Sequence, residues 1–330
     1  MKRADWILVL SVPVALAVLA GAPLVGMHDV PLRALWHDEG TASRILWELR
    51  IPRVWTGFVV GVVLAAGGVA FQAMFRNPLA TPFTLGIAGG ASLGAAIAIF
   101  AGWSFTLGWL SGGAVCAFLG AVATIGLVYG LTRIREGFST ATLLLAGVAL
   151  NFFYSSAVVV LQYLADPSRT YRMFRWMLGG LEGVVGFTDL KSVLILAVPC
   201  LVCLAVLPRE LNLLITGEEL AAARGVAVDR IKILVFTAVS LMVAGVVAIC
   251  GPIGFVGLIV PHVCRLVLGP DHRRLLPGAM IAGGTFLVVC DTVARTVVAP
   301  TELPVGVITA MLGGPFFLVL LLTRGGESAV

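Results

Sequence analysis

The sequence predicts an all-α polytopic membrane protein with about ten transmembrane helices and a weak inverted repeat. Three observations predict it. The 330 residues are 59% hydrophobic and 12% charged, with a mean hydropathy of +1.05, whereas a soluble domain carries about 25% charged residues. Apolar runs of about 20 residues, the length that crosses a bilayer, recur from end to end. Two stretches, 75–95 and 250–277, crowd Gly and Pro where a buried helix would rather carry Leu. The alternating segments of about 10 residues that build a membrane β-barrel are absent. No soluble domain fits between the runs, so residues 1–330 are expected to form a single transmembrane domain.

The first run, roughly 6–26, follows Met1-Lys2-Arg3. It is long for a signal peptide and is expected to be the first span. The second, roughly 55–75, leads into "FRNPLATPFTLGIAGGASLGA" from Phe75 to Ala95. There Pro78 and Pro82 break one helix and begin the next. Asn77 and Thr81 can cap the backbone groups that lipid leaves unsatisfied. The third run, roughly 83–102, carries Gly86, Gly90 and Gly94 four residues apart on one helix face. Such a face lets another backbone approach closely. The rival reading is a narrow point of a pathway. The fourth to seventh runs follow at roughly 107–131, 140–164, 190–208 and 231–250. The eighth, roughly 253–268, is short and preceded by "CGPIG", as if part of a broken helix. The ninth and tenth run roughly over 277–298 and 304–322. The two Gly/Pro-rich stretches lie five spans apart and so run in opposite directions, the inverted-repeat pattern of transporters.

An even number of spans puts both termini on one side. With the termini cytoplasmic, 13 of the 22 Lys and Arg face inward, which follows the positive-inside rule by a narrow margin. The outward set includes Arg50, Arg53, Arg169, Arg172, Arg175 and Arg295, and it asks for a reason. No G-x-x-x-x-G-K-[ST] phosphate loop is present, so the chain does not bind ATP in that way. The spans are almost free of the ionisable residues that couple ions in secondary carriers. Asp291 and Arg295, four apart on one helix face, read as an ion pair rather than a proton relay. The four histidines lack metal-ligand spacing. The six cysteines sit in apolar runs as small hydrophobes. No catalytic constellation stands out.

One polar connector is unusual: "LPRELNLLITGEELAAARGVAVDRIK", Leu207 to Lys232. Thr216 and Glu219 have capping-box spacing. Residues 220–223 favour helix, and Gly225 fits a C-terminal cap. A short helix of about two turns is expected there.

Taken together, "LRIPR" (49–53), "GVAFQAMFRNPLATPFTLGIAGGASLG" (68–94), "LLLAGVALN" (143–151), "WMLGG" (176–180), "GEELAAARGV" (217–226), "GFVGLIVPHVCRLVLGPDHRRLLP" (254–277) and "DTVARTVVAPTELPVGVITAMLGGPFF" (291–317) cover nearly the whole chain in order. In these stretches the chain resembles the FecCD family of ATP-binding-cassette (ABC) importer permeases, which includes vitamin B12, haem and ferric-siderophore permeases.

The resemblance implies ten transmembrane helices per subunit in a bacterial cytoplasmic (inner) membrane, both termini cytoplasmic, and a path between two permease subunits. The second subunit is expected to be an identical copy. Two cytoplasmic ATPase subunits are implied, binding ATP and Mg. This chain would then hold no catalytic residue, metal or cofactor of its own. An extracytoplasmic substrate-binding protein is implied to dock on Arg50, Arg53 and Arg295. The loop helix that couples to the ATPase would comprise Thr216, Gly217, Glu218, Glu219, Leu220, Ala221, Ala222, Ala223, Arg224, Gly225 and Val226. A gate is implied at Asn77 and Leu79, and a second at Ser155, Ser156, Ala157 and Val158. The cargo would be an iron-siderophore, haem or a cobalamin-type corrinoid. The competing expectation is a secondary transporter working without ATP.

Overall fold

The computed structural model describes residues 3–27, 40–134 and 140–324. In chain order its α-helices are α1 (Arg3–Gly21), α2 (Thr41–Arg44), α3 (Ile51–Phe75), α4 (Ile87–Ala101), α5 (Gly112–Ile134), α6 (Thr140–Leu164), α7 (Pro167–Met177), α8 (Thr188–Ala205), α9 (Pro208–Ile215), α10 (Glu218–Ala223), α11 (Val228–Cys250), α12 (Val256–Leu268), α13 (His272–Thr296) and α14 (Val305–Arg324). A π-helical turn, Ile45–Arg50, joins α2 to α3. Among the described residues, seven helical segments are long and apolar enough to cross a membrane, the longest being the 35 residues Thr41–Phe75. Three shorter apolar helices, at 87–101, 256–268 and 305–320, take the third, eighth and tenth places. The expected ten therefore occur in order. Proline and glycine breaks shorten the third and the eighth.

α3 sits at the centre of the bundle. Every residue from Val60 to Phe75 is buried, as befits a helix that is apolar on all sides. Small residues let its neighbours close in. A Cβ on Gly61 would overlap the backbone of Gly283 and Gly284 in α13, and one on Gly68 would overlap Gly257 in α12. One continuous apolar cluster runs from Val60 in α3 through α4, α8, α11 and α13 to Val305 in α14. The outward sides of α1, α6, α8 and α14 carry exposed apolar residues such as Leu10, Phe152, Ile195 and Leu318. Exposed apolar surface on this scale suits a lipid solvent.

The glycine stripe of α4 packs against α5. A Cβ on Gly90 would overlap Thr124 and the Gly120 carbonyl, and one on Gly94 would overlap the Cys116 carbonyl. Gly86 has φ +83°, a conformation that suits glycine, and it separates the 3-10 turn Pro82–Leu85 from α4. The stripe is thus a packing face, as the spacing suggests.

The second Gly/Pro-rich stretch separates two apolar helices, α11 and the short α12. α11 ends at Cys250, and residues 251–254 are irregular. α12 then starts after Phe255, whose φ of 67° is unusual for a residue with a side chain. Gly257, just inside α12, faces Leu64 and Gly68 of α3. Gly68 lies seven residues from the end of α3, about 10 Å along the helix axis. Irregular backbone at that depth is tolerated where protein covers it or where it lines a cavity. Below, the end of the bundle holding α9 and α10 is called proximal and the other end distal.

Candidate translocation path and its two ends

At the distal end the structure brings Arg50, Arg53 and Arg295 into one cavity of about 410 Å³, together with Met27, Glu182 and Glu302. The π-helical turn and the start of α3 present Arg50 and Arg53, and the last turn of α13 presents Arg295. All three are buried, at 7%, 8% and 3% exposure, and each is held by internal acceptors. Arg53 grips Asp291 through Nη2 at 2.9 Å and Nε at 3.1 Å, and its Nη1 reaches Glu302 at 2.6 Å. Arg295 Nε lies 3.2 Å from the second oxygen of Asp291. Arg295 also donates to the carbonyls of Ala22 and Val25, and Arg50 donates to those of Pro23 and Leu24. These carbonyls belong to the turn that follows α1, 22–25, where cations are favoured by the helix dipole and by unmet acceptors. Gly26 leaves room for the Arg50 guanidinium, which a Cβ would overlap.

The expectation puts these arginines at the outer face for a partner to dock on; in the single chain they are buried and held by internal acceptors. Charges this costly to bury are kept only when paired, and the chain supplies the pairs. Asp291 and Arg295 do form the expected ion pair. The reading missed that Arg53, 238 positions away, shares Asp291. With a cation on each side, Asp291 is a structural tie.

In the middle, a cavity of about 330 Å³ lies between the two broken stretches. Thr81, Pro82 and Phe83 line it from one, and Pro252, Gly254 and Phe255 from the other. Asn151 of α6 also lines it, its amide donating to the Phe83 carbonyl at 3.1 Å. The two stretches that share a texture in the sequence therefore face each other in space.

The proximal end carries the predicted gate turn. Arg76 closes α3 in the left-handed conformation, φ 49°. The N–H of Asn77 then reaches back to the Gln72 carbonyl and that of Arg76 to Ala73, the Schellman pattern usually built on glycine. The Asn77 side chain accepts from the Leu79 N–H at 2.9 Å, and Leu79 is 52% exposed. Arg265 of α12 donates to Gln72 at 2.7 Å, and Gln72 in turn to the Gly257 carbonyl, tying α12 to α3.

The second predicted gate sits elsewhere. Gly147 of α6 packs on Thr84 and Leu85. Residues 155–158 are 8 to 11 positions further along that helix, roughly 12–16 Å towards the distal end. Ser155 and Ser156 are exposed and Ala157 half-buried. Val158 is buried, in one cluster with Ala96 and Met173, so it faces the protein rather than a path.

The polar connector from Leu207 to Lys232 forms two helices, α9 and α10, of which the predicted coupling segment, 216–226, holds α10. Thr216 does not cap α10. Its hydroxyl donates to the Leu213 carbonyl at 2.8 Å and finishes α9, while Gly217, at φ 124°, starts α10. The capping-box spacing misled because the preceding helix had first claim on Thr216. The other end is as expected. The N–H of Gly225 reaches Ala222 and that of Val226 reaches Ala221, around Gly225 at φ 83°. α10 turns Glu219, Leu220, Ala222 and Ala223 outward and buries Ala221. Beside it, Arg209, Arg224 and Arg273 line a cavity of about 490 Å³. Glu218 turns inward, 2.6 Å from Lys232 of α11 and 3.9 Å from Arg76. The sequence reading singled out neither cation. The signal was there in Lys232, one of three lysines in the chain.

Comparison with known proteins adds to this geometry. A model of the FecCD transport family matches residues 8–323. A haemin transport system permease protein of Yersinia pestis is 39% identical over 315 residues, covering 94% of each chain. A cobalamin import system permease protein of Halobacterium salinarum is 40% identical over 315 residues, covering 95% of this chain and 82% of that one. A solved structure described as an inward-facing conformation of a metal-chelate type ABC transporter superposes with a TM-score of 0.84. It is 31% identical and covers 97% of this chain and 99% of its own.

Proposed function

This chain belongs to the FecCD transport family, and from that premise we propose that it is the permease subunit of a binding-protein-dependent ABC importer carrying an iron-siderophore, haem or cobalamin-type substrate. The proximal end faces the bacterial cytoplasm with both termini. Two such subunits, identical copies, enclose the path. Two ATPase subunits sit on the exposed faces of α10 and bind ATP and Mg, and this chain holds no cofactor and catalyses no hydrolysis.

The observation that carries the reading is α10. A six-residue helix of this kind would be a plain connector but for three features. It shows a small-residue face outward, it is closed by a full Schellman turn, and it sits against the predicted gate turn through Glu218 and Arg76. Arg209, Arg224 and Arg273 beside it supply cations for an acidic partner. At the distal end a loaded binding protein docks over the Arg50–Arg53–Arg295 cavity, where its acids exchange with internal partners.

The test is purification of the tagged chain from native membranes in mild detergent. An ATPase subunit recovered in equal number, with vanadate-sensitive hydrolysis, is the expected result. A folded chain recovered alone, with ion-dependent uptake in vesicles that needs no ATP, would overturn the importer reading.

A further inference from the structure

We propose that Glu218 is the joint that transmits movement of α10 to the gate turn and to α11 together. The proposal rests on the importer reading above and assigns the residue that carries its coupling.

Three elements meet at this one carboxylate. Glu218 opens α10. Its Oε1 lies 2.6 Å from Lys232 Nζ, in the second turn of α11, and 3.9 Å from Arg76 Nη2, the residue that closes α3. The Lys232 side chain is 3% exposed and those of Glu218 and Arg76 are 37% and 49% exposed. The two links therefore differ in kind. A 2.6 Å contact between a buried ammonium and a carboxylate is a firm tie, because removing one partner of a buried pair is costly. The Arg76 link is long, exposed and weak, as surface pairs are. Glu218 is thus fixed to α11 and free to make or release Arg76.

The rest of α10 fits this division. Glu219, Leu220, Ala222 and Ala223 face outward, where a partner can push. Gly217 brings the chain in beside Arg76, whose Nη1 lies within 4.0 Å of where its Cβ would stand. The next three residues after Arg76 are Asn77, Pro78 and Leu79, the predicted gate. A shift of α10 that carries Lys232 along would draw α11 with it. The same shift would change the distance to Arg76, and with it the balance of the turn. Coupling of this sort requires an element with two arrangements that both sites bias, and the Glu218–Arg76 contact, made in one and released in the other, would supply it.

The test uses the assembled transporter, this chain with its ATPase partners, in lipid nanodiscs. Leu79→Cys supplies a reporter for a membrane-impermeant maleimide, and the parent without it serves as the blank. Labelling is timed with and without ATP plus vanadate. The expected result is a nucleotide-dependent change in labelling of at least about fivefold, within the usual range of coupling between sites. Glu218→Gln should lose it while retaining the ATPase subunit and its hydrolysis. Asp229→Asn, in the first turn of α11, serves as a charge control and should leave the change intact. Should Glu218→Gln destabilise the chain by loosening the Lys232 contact, Arg76→Gln decides instead, since it leaves the buried tie whole. Loss of the change in Arg76→Gln supports the joint, and full retention overturns it. An unaltered change in Glu218→Gln, or loss of the ATPase subunit from a folded Glu218→Gln chain, also overturns it. A parent chain that never binds an ATPase overturns the importer reading instead, so the two failures are distinct.

Discussion

Arg53 places one guanidinium between Asp291 and Glu302, and its value lies in that fork. Arg53→Ala would leave Asp291, 1% exposed, with one cation fewer. Breaking a buried pair from one side costs about 3–5 kcal/mol, and the expected outcome is a clear fall in the Tm of the solubilised chain. Arg53→Lys should recover only part of it, because an ammonium cannot serve two carboxylates in a planar fork. Glycines offer a second contrast at this scale. Gly90→Ala meets Thr124 and the Gly120 carbonyl at once, whereas a Cβ on Gly113 meets nothing. The first should cost about 1–3 kcal/mol through overpacking. The second should stay within about 0.5 kcal/mol, as surface substitutions do. Parallel thermal melts of the two variants would check the pair.

Between residue and fold, the α9–α13 corner shows how a short helix is held. Asn212 of α9 donates to Asp271 at 2.7 Å and accepts from the backbone N–H of His272 at 2.9 Å. Asp271 in turn caps α13, accepting from the Arg273 N–H at 3.1 Å. The Asn212 amide, and after it that backbone N–H, holds the Asp271 carboxyl below the usual carboxylate range. A depressed folded value contributes stability above the unfolded one, about 3.9. That contribution is lost as pH falls through the lower folded value. Acid melts of Asn212→Ala should therefore show a smaller loss of Tm below pH 4 than the parent. An equal loss would show that the Asn212 contact does not govern this titration.

The spans were legible because a bilayer imposes a length and excludes charge, so α6 falls on residues 140–164 as read. The short helices were not. α9 follows from an amphipathic pattern only eight residues long. The claim of α9 on Thr216 is invisible until the chain is folded. The π-helical turn before α3 leaves no periodic trace at all. At the site, residue types pointed to the right neighbourhoods, but partners 238 and 249 positions apart are set by packing that a single sequence does not display.

Across the whole molecule, two interrupted spans entering from opposite directions meet at one cavity. Each supplies backbone that its own helix cannot satisfy, and α6 closes the ring with Asn151. A Cβ at Gly254 meets nothing within 4 Å, so a side chain can start there, and Gly254→Leu would take up part of the 330 Å³. In the reconstituted importer this variant should slow uptake of a bulky cargo such as haemin while ATP hydrolysis continues. Uptake equal to the parent would place the cavity off the path.

The distal cavity has a further consequence. Arg50, Arg53 and Arg295 are offset by Glu182, Glu302 and the Asp291 beneath them. With Arg175, which holds Glu182 at 2.7 Å, four cations face three acids, so the pairing leaves only a small unbalanced charge and the mouth steers ligands weakly at long range, because steering depends on an unbalanced field. Cargo gains little diffusive advantage from it. Capture from dilute solution then falls to whatever carrier delivers the cargo. Any ionic-strength dependence of uptake should report the meeting of two proteins rather than the arrival of a small molecule.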